Sequence, residues 1–211
     1  MLQLVLGTGN RKKGIEMADL CRPVGPPARL GLELLTLADF PNIAITPVVE
    51  DGDTFAANAA LKAAGYARQL NQWVLADDSG LMVDALDGAP GVFSARYAGL
   101  AADDGANNDR LLEELRDVPA ERRSAQFVCY LALADPSGEI RLTNSGYCRG
   151  LILFEPRGQA GFGYDPLFNV REYHQTFAEL GLMAKACLSH RARAVGRMVP
   201  DLMRLVDSGV F

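Results

Sequence analysis

Acidic side chains in two short segments of this 211-residue chain could hold a metal ion. Glu50 opens the segment EDGD, while Asp77 and Asp78 directly follow an apolar run at residues 73–76 that is typical of a short buried strand. Adjacent carboxylates repel each other and are rarely buried without partners. Hard cations such as Mg²⁺ bind one or two carboxylates together with substrate phosphates. Glu50 alongside the two aspartates therefore predicts a magnesium site, where one carboxylate could accept a proton from an attacking water.

Both acidic segments also have an ordinary structural interpretation. EDGD lies just before a predicted helix, where carboxylates cap the first turn and interact favourably with the helix dipole. DDSG can be a solvated turn at the end of the strand. The apolar strand before it favours function, because binding sites gather where the strands of α/β sheets end. Ser79 beside Gly80 would let a ligand approach the backbone closely.

Basic residues follow the first predicted strand, in the segment TGNRKK at residues 8–13. Backbone N–H groups at the start of a helix favour anions, and Lys12 and Lys13 add positive charge. The segment differs from the P-loop of nucleoside triphosphatases, whose lysine is followed by Ser or Thr. It predicts a phosphate-binding loop, with a plain basic turn as the alternative.

Two further segments contain side chains that could recognise a nucleobase. GFGYDP, at residues 161–166, carries two aromatic rings whose faces could stack on a base. SHRAR, at residues 189–193, supplies His190 and Arg191 as hydrogen-bond donors to a carbonyl. Both segments also have an interpretation without a ligand. The aromatic residues could belong to the core, and the basic residues could lie on a solvated helix face. Together the four segments supply the parts of a nucleotide hydrolase.

The elements that must position these residues begin with a β-α-β-α-β order. Apolar runs predict strands, and stretches of strong helix formers predict helices. Thr54 is a good N-cap, and the Pro- and Gly-rich stretch after the first helix predicts a loop. The predicted elements are a strand over residues 1–6, a helix from Lys12 to Leu20, a loop from Cys21 to Gly31, a strand from Glu33 to Leu37, a helix to Leu70 and a strand from Trp73 to Ala76.

The rest of the chain has a different pattern. GAPG predicts a sharp turn, and NDRLLEELRD predicts a short amphipathic helix. Two or three β-rich runs follow, with PSG as a hairpin turn between the first two. The stretch from Lys185 to Val206 is helical in composition, and Pro200 should kink or interrupt it. These patterns predict an α/β lobe, a β-rich middle and a C-terminal helix, with a cleft between lobes.

Composition limits the possible classes of function. Hydrophobic residues make up 49% of the chain and charged residues 22%, which are values of a globular protein with a substantial core. The net charge of −5 weighs against a protein that coats nucleic acid. No apolar run approaches the ~20 residues of a membrane span, and the basic residues near the N-terminus follow the apolar run, the reverse of a signal peptide. We expect a cytoplasmic protein whose four cysteines, which lack zinc-site or redox spacing, are reduced.

The combination of motifs resembles a known family, the inosine triphosphate pyrophosphatases, which act on non-standard purine nucleoside triphosphates. The resemblance covers nearly the whole chain, from residue 8 to residue 194, with the motifs in the order of the family. The motifs that carry it are TGNRKK, EDGDTFAANAALKA, LADDSGLMVDALDGAPGVFSARYAG, AQFVCYLAL, PRGQAGFGYDPLF, TFAEL and LSHRARA.

The resemblance implies a fold and an activity. The fold would be one elongated α/β domain over residues 1–211, with two lobes, a long curved mixed sheet and a central active-site cleft. The activity would be the Mg²⁺-dependent hydrolysis of ITP, dITP and XTP to the monophosphate and pyrophosphate, by a homodimer that acts on neither nucleic acid nor membrane. Water attacks the α-phosphorus in such a reaction, so charge neutralisation and alignment are needed rather than a covalent nucleophile.

Matching by motif also implies the role of each site residue. The triphosphate would be bound by Thr8, Gly9, Asn10, Arg11, Lys12 and Lys13, with Asn10 and Lys13 central, and by Lys62. The metal would be held by Glu50 and Asp78 with Asp77 close by. Lys13 and Asp78 would act in catalysis, Asp78 as the general base, and Ser79 would contact the substrate. The base would be framed by Phe162, Gly163, Tyr164 and Asp165 and completed by Lys185, His190 and Arg191.

The chain departs from the family pattern at three positions. Ala184 and Ala186 flank Lys185 where the family usually has Glu and Asn, and Lys12 stands where the family prefers glycine. Two alternatives remain open on this basis: a related pyrophosphatase for another modified nucleotide, such as a modified pyrimidine triphosphate, and an inactive nucleotide-binding module of the same fold.

Overall fold

The computed structural model describes residues 2–21 and 32–210, and these residues form seven strands and five α-helices. Short 3₁₀ turns lie between several of them. In chain order the elements are β1 (Leu2–Leu6), α1 (Arg11–Cys21), β2 (Leu32–Thr36), α2 (Phe55–Leu70), β3 (Trp73–Val83), α3 (Asp104–Glu114), β4 (Ser124–Ala134), β5 (Ile140–Ile152), β6 (Phe168–Val170), β7 (Gln175–Thr176), α4 (Phe177–Leu188) and α5 (His190–Asp207).

The strands form one mixed sheet in the order β2-β1-β3-β4-β5-β6-β7. β1 pairs in parallel with β2 and β3, while β6 is antiparallel to β5 and β7. The predicted α/β class and the β-α-β-α-β start are confirmed, and so is the hairpin, whose strands β4 and β5 are joined at Asp135–Glu139. The predicted loop after α1 lies outside the described residues. None of the described helices is long and apolar enough to cross a membrane.

The chain divides into two compact units. The first contains Met1–Asp78, Cys129–Gly146 and Arg193–Phe211, and the second contains Ser79–Val128 and Tyr147–Ala192. The single domain with two lobes stays a prediction, since this division into units does not test it.

The core of the first unit lies on both faces of β1. Leu4 and Leu6 pack in one buried cluster with Met198 of α5, whereas Val5 packs in another with Ala63 of α2. This alternation is the period of two that a strand requires. The predicted cap of α2 is confirmed, because the Thr54 hydroxyl accepts a hydrogen bond from the Ala57 N–H at 3.1 Å.

The core of the second unit contains a group of three packed phenylalanine rings. Phe168 stacks against Phe177 with ring centroids 5.5 Å apart, and Phe127 lies 4.6 Å from Phe168. Aromatic pairs in such offset or tilted arrangements add specific geometry to the burial of apolar area. Phe168 lies on β6, and Phe177 directly follows β7. These two short strands were not predicted, because three-residue and two-residue strands have too few positions to show a pattern.

Two predictions about the length of elements are wrong. β3 does not end at Ala76 but is eleven residues long and ends at Val83, so DDSG lies inside a strand. Pro200 does not interrupt the last helix, which continues to Asp207 because its apolar face, including Val195 and Leu202, is buried in the first unit. The break lies instead at Ser189, where the backbone is extended.

Candidate active site

The predicted phosphate loop forms the turn between β1 and α1 in the first unit. The Asn10 side chain accepts a hydrogen bond from the Lys13 N–H at 3.1 Å, and the Thr8 hydroxyl accepts one from the Asn10 N–H at 3.2 Å. Asn10 therefore caps the first turn of α1, which fixes the direction of its N–H groups. The preceding Gly7 is required by packing, since a Cβ there would lie 2.7 Å from Val74 Cγ1.

Lys13 and Lys62 face the predicted carboxylates. Lys62 Nζ lies 2.7 Å from Glu50 Oε2 and 3.2 Å from Asp78 Oδ1, so one ammonium bridges the two carboxylates. Lys13 Nζ lies 3.9 Å from Asp77 Oδ2. We call these five residues the acid–lysine cluster. Lys12 is exposed, Gly9 lies in the turn, and the Arg11 side chain lies outside the described residues.

The charges of the acid–lysine cluster are not balanced. Burial raises the pKa of Asp78 above its ordinary value, although Lys62 and Lys13 oppose that rise. The three carboxylates raise the pKa of Lys62 even though its burial alone would lower it. Among the residues that the structure describes, the buried Asp78 Oδ2 atom has no hydrogen-bond partner. The described side chains of the cluster are three carboxylates and two lysines, and this excess of negative charge favours a further cation.

The carboxylates are divided between the two lysines. Lys13 lies near Asp77, whereas Asp78 and Glu50 share Lys62. The two halves still interact, because Lys13 opposes the rise in the pKa of Asp78 and Asp77 helps raise the pKa of Lys62. The described residues contain no group of three His, Cys, Asp or Glu side chains placed to hold a metal. A magnesium site of Glu50, Asp78 and Asp77 stays a prediction.

The second unit contains the side chains predicted to recognise a base. Lys185 Nζ lies 2.5 Å from Asp165 Oδ2 and 4.1 Å from the centroid of the Phe162 ring. The same carboxylate accepts a hydrogen bond from the Phe162 N–H at 2.9 Å. Arg191 donates a hydrogen bond to the Ser79 hydroxyl at 2.8 Å, and its guanidinium lies 5.5 Å from the Phe162 ring. We call these five residues the Lys185 cluster.

Two of the predicted base contacts are core residues. Tyr164 is 4% exposed, its hydroxyl donates to the Ser94 carbonyl at 2.9 Å, and its burial raises its pKa. His190 is 2% exposed and stacks on Phe127 at 4.9 Å. Phe162 is the aromatic ring of this segment that remains half-buried and can offer a face.

Comparison with known proteins shows the family to which the chain belongs. The Ham1 family model matches residues 4–201. The chain belongs to the Ham1 family. A dITP/XTP pyrophosphatase from Rhodopirellula baltica is 56% identical over 208 residues, covering 99% of this chain and 96% of the relative, and one from Desulforamulus reducens is 48% identical over 204 residues, covering 97% of each.

Solved structures give the same result. A HAM1 protein from Coxiella burnetii superposes with a TM-score of 0.84 at 38% identity, covering 97% of this chain and all of that one. A nucleoside-triphosphatase / dITP/XTP pyrophosphatase from Mycobacterium abscessus gives a TM-score of 0.74 at 40% identity, covering 94% of this chain and all of that one. The resemblance predicted from the motifs is confirmed.

Two buried asparagines of this Ham1 chain have supporting roles that were not predicted from the sequence. Asn58 of α2 accepts from the Gly52 N–H at 2.8 Å and so holds the EDGD segment against the helix. Asn108 of α3 donates to the Gly163 carbonyl at 3.1 Å and supports the GFGYDP segment. An asparagine at a helix position that should be apolar is the one signal in the sequence that could have found them.

Proposed function

We propose that this Ham1 chain hydrolyses non-standard purine nucleoside triphosphates, namely ITP, dITP and XTP, to the monophosphate and pyrophosphate. The observation that carries the proposal is the acid–lysine cluster, in which Lys62 bridges Glu50 and Asp78 next to the helix start that bears Lys13. Lysines and carboxylates together are what a phosphate–metal substrate needs. The names of the relatives, dITP/XTP pyrophosphatases, support the same substrate class.

The residues present fit a divalent cation, which we propose is Mg²⁺. Asp78 has a buried oxygen without a hydrogen-bond partner, and Glu50 is held next to it through Lys62. Both would be ligands of the cation, with Asp77 close by. When bound, the cation would neutralise charge on the phosphates.

The residues of the chain would bind and align the phosphates and deprotonate the attacking water. Lys13, Lys62 and the N–H groups at the start of α1 would hold the phosphates, and Asp78 would take the proton of the attacking water. A covalent nucleophile is not required, since positioning and charge dominate phosphoryl transfer. The Ser79 hydroxyl accepts from a guanidinium, which does not activate it, so we propose that it contacts the substrate.

Recognition of the base is assigned to the Lys185 cluster. Lys185 and Arg191 are donors, and hypoxanthine and xanthine present a carbonyl at C6 that donors can meet. Adenine presents an amino group at C6, so a donor would face a donor. We further propose that Asp165 fixes Lys185 and Phe162 in place, while Tyr164 and His190 support the segment from the core.

The remaining parts of the proposal concern context. We propose a single pyrophosphatase domain that works as a cytoplasmic homodimer on the free nucleotide pool, without nucleic acid or membrane as partner. The charge balance of the chain, −5 overall, supports a small-molecule substrate over nucleic acid.

A nucleotide panel tests the proposal. Pyrophosphate release from ITP, XTP, ATP and GTP is measured with Mg²⁺ under one set of conditions. We expect kcat/KM for ITP to exceed that for ATP by about 10⁴-fold, because buried polar groups left unpaired reject the wrong substrate, with a smaller margin over GTP. Equal efficiency on ATP and ITP contradicts the base site, preference for a modified pyrimidine triphosphate favours the related pyrophosphatase, and no turnover of any nucleotide favours an inactive module.

A further inference from the structure

Arg123, directly before β4 in the second unit, is a buried cation with no counter-charge among the described residues. The residue is 1% exposed, and its side chain is among the largest that are fully buried. Its Nε and Nη1 atoms have no hydrogen-bond partner, and Arg123 forms no ion pair with any residue that the structure describes. Buried charges in proteins are paired or bind ions, because an unpaired charge is costly to remove from water.

The other buried cations of the second unit have polar partners. Lys185 pairs with Asp165, and Arg191 donates to Ser79. Within residues 2–21 and 32–210, the Arg123 guanidinium contacts the ring of Phe154, whose centroid lies 4.0 Å from the guanidinium carbon. A ring quadrupole attracts a cation far less than a full negative charge does, and it leaves both N–H groups without an acceptor. Consistently, burial lowers the pKa of Arg123 and no nearby acid opposes that change.

We propose that Arg123 and Phe154 form a binding site for a small inorganic anion, a halide or phosphate. The anion accepts hydrogen bonds from the Nε–H or Nη1–H group and supplies the missing charge. The Phe154 side chain is 58% exposed, so its ring can turn away and admit an ion without disturbing the core. The site uses none of the residues assigned to the nucleotide.

The place of Arg123 in the chain gives the ion a structural effect. The Arg123 carbonyl accepts a hydrogen bond from the Ile152 N–H at 2.9 Å, and Phe154 follows two residues later. An anion held by Arg123 therefore binds beside the backbone contact that joins the start of β4 to the end of β5. Binding to the folded state alone raises the stability of the protein in proportion to occupancy.

The first test locates the ion directly. Crystals of the full chain are soaked in sodium bromide, and anomalous scattering is recorded at the bromine edge. We expect a peak in contact with the Arg123 guanidinium of the wild-type protein. The absence of a peak there, or a carboxylate of a second copy seated on Arg123, overturns the proposal without any variant.

The second test measures thermal unfolding in chloride, phosphate and gluconate at one ionic strength. Gluconate is the reference anion, because it is too bulky to enter the site. At five times its dissociation constant the ion enriches the folded form about sixfold, or roughly 2–4 °C in Tm for a chain of this size. The anion, chloride or phosphate, that raises Tm at the lower concentration is the preferred ligand of the site. Arg123→Met should lose this response, whereas Arg122→Met, which removes an exposed neighbouring charge, should keep it.

Equal responses of the wild type and Arg123→Met overturn the proposal. If Arg123→Met does not fold, Phe154→Ala replaces it. Removal of the ring leaves the guanidinium in place, so bromide should still bind, and a Phe154→Ala crystal without bromide at Arg123 also contradicts the site.

Discussion

The acid–lysine cluster of the first unit and the Lys185 cluster of the second unit are both charged and largely buried, yet their charges are arranged differently. The acid–lysine cluster has three carboxylates for two lysines, and Asp78 keeps a buried oxygen without a hydrogen-bond partner. In the Lys185 cluster one carboxylate pairs with one ammonium at 2.5 Å. The first arrangement favours an added cation. In the second, Lys185 and Asp165 are matched one to one, and Arg191 is bonded to the neutral Ser79 hydroxyl.

This difference separates chemistry from positioning. An unbalanced cluster can exchange partners with a substrate, but it contributes little to the fold, because burial of like charges is unfavourable. A balanced buried pair stabilises the fold only while both partners are present, since removal of one leaves an unpaired charge. We therefore expect substitutions in the acid–lysine cluster to change turnover and those in the Lys185 cluster to change stability as well.

The largest effect is expected for Asp78→Asn. This change removes the carboxylate that would hold the cation and accept the proton, and a general base contributes about 10²- to 10⁴-fold. We expect kcat for ITP to fall by that factor while circular dichroism and Tm stay close to the wild type. Asp53→Asn, which alters an exposed carboxylate near the same cluster, is the control. Turnover near the wild-type level in folded Asp78→Asn would remove Asp78 from the site.

Lys185→Met tests the balanced pair. The substitution removes the ammonium partner of Asp165, which is 2% exposed, and loss of one partner of a buried ion pair costs about 3–5 kcal/mol of unfolding free energy. Denaturant unfolding should show this loss, and the double variant Lys185→Met/Asp165→Asn should recover part of it. Arg116→Met, which breaks an exposed pair with Glu113 in the same unit, should cost less than about 1 kcal/mol. Equal costs for the two single variants would mean that the Lys185 pair is not structural.

Lys13→Ala gives a smaller loss in the acid–lysine cluster. A charge-assisted contact with phosphate is worth roughly 1.5–3 kcal/mol, so kcat/KM for ITP should fall at least about tenfold. The measurement is made at limiting substrate, with unfolding followed in parallel. Lys12→Ala removes the exposed neighbouring charge and should cost less. An unchanged kcat/KM in Lys13→Ala would place phosphate binding elsewhere.

The smallest effect is expected for Asp135→Asn. Asp135 lies in the first unit, as Asp78 does, but its pKa is shifted in the opposite direction. Hydrogen bonds from the Ser137 hydroxyl and Arg141 help lower the pKa of Asp135 to about 2, the opposite of Asp78. A lowered folded-state pKa means that this stabilisation is complete above about pH 4 and is lost as the pH falls towards 2. Unfolding free energy should therefore decline more steeply over this range in the wild type than in Asp135→Asn. Parallel curves would show that the turn does not depend on the ionised carboxylate.

The order of the elements could be read from the chain because it depends on local pattern. Apolar runs, the Thr54 cap and the PSG turn each act within a few residues, and the structure agrees with all three. The residue types of both clusters were likewise visible as short motifs. The amino-acid sequence therefore determined which chemical groups this protein carries and the elements on which they lie.

The pairing of those groups was decided by tertiary structure. Three hydrogen bonds join residues that are far apart in the chain. Lys62 and Asp78 are separated by 16 positions, Asn108 and Gly163 by 55, and Arg191 and Ser79 by 112. No local pattern encodes such contacts, and the continuation of β3 through two carboxylates depends on lysines that come from other elements. Burial of Tyr164 and His190 follows from the same cause, because a side chain becomes core only when distant residues cover it. Charge balance at each cluster is thus a property of the fold, since only the fold sets which lysine lies next to which carboxylate.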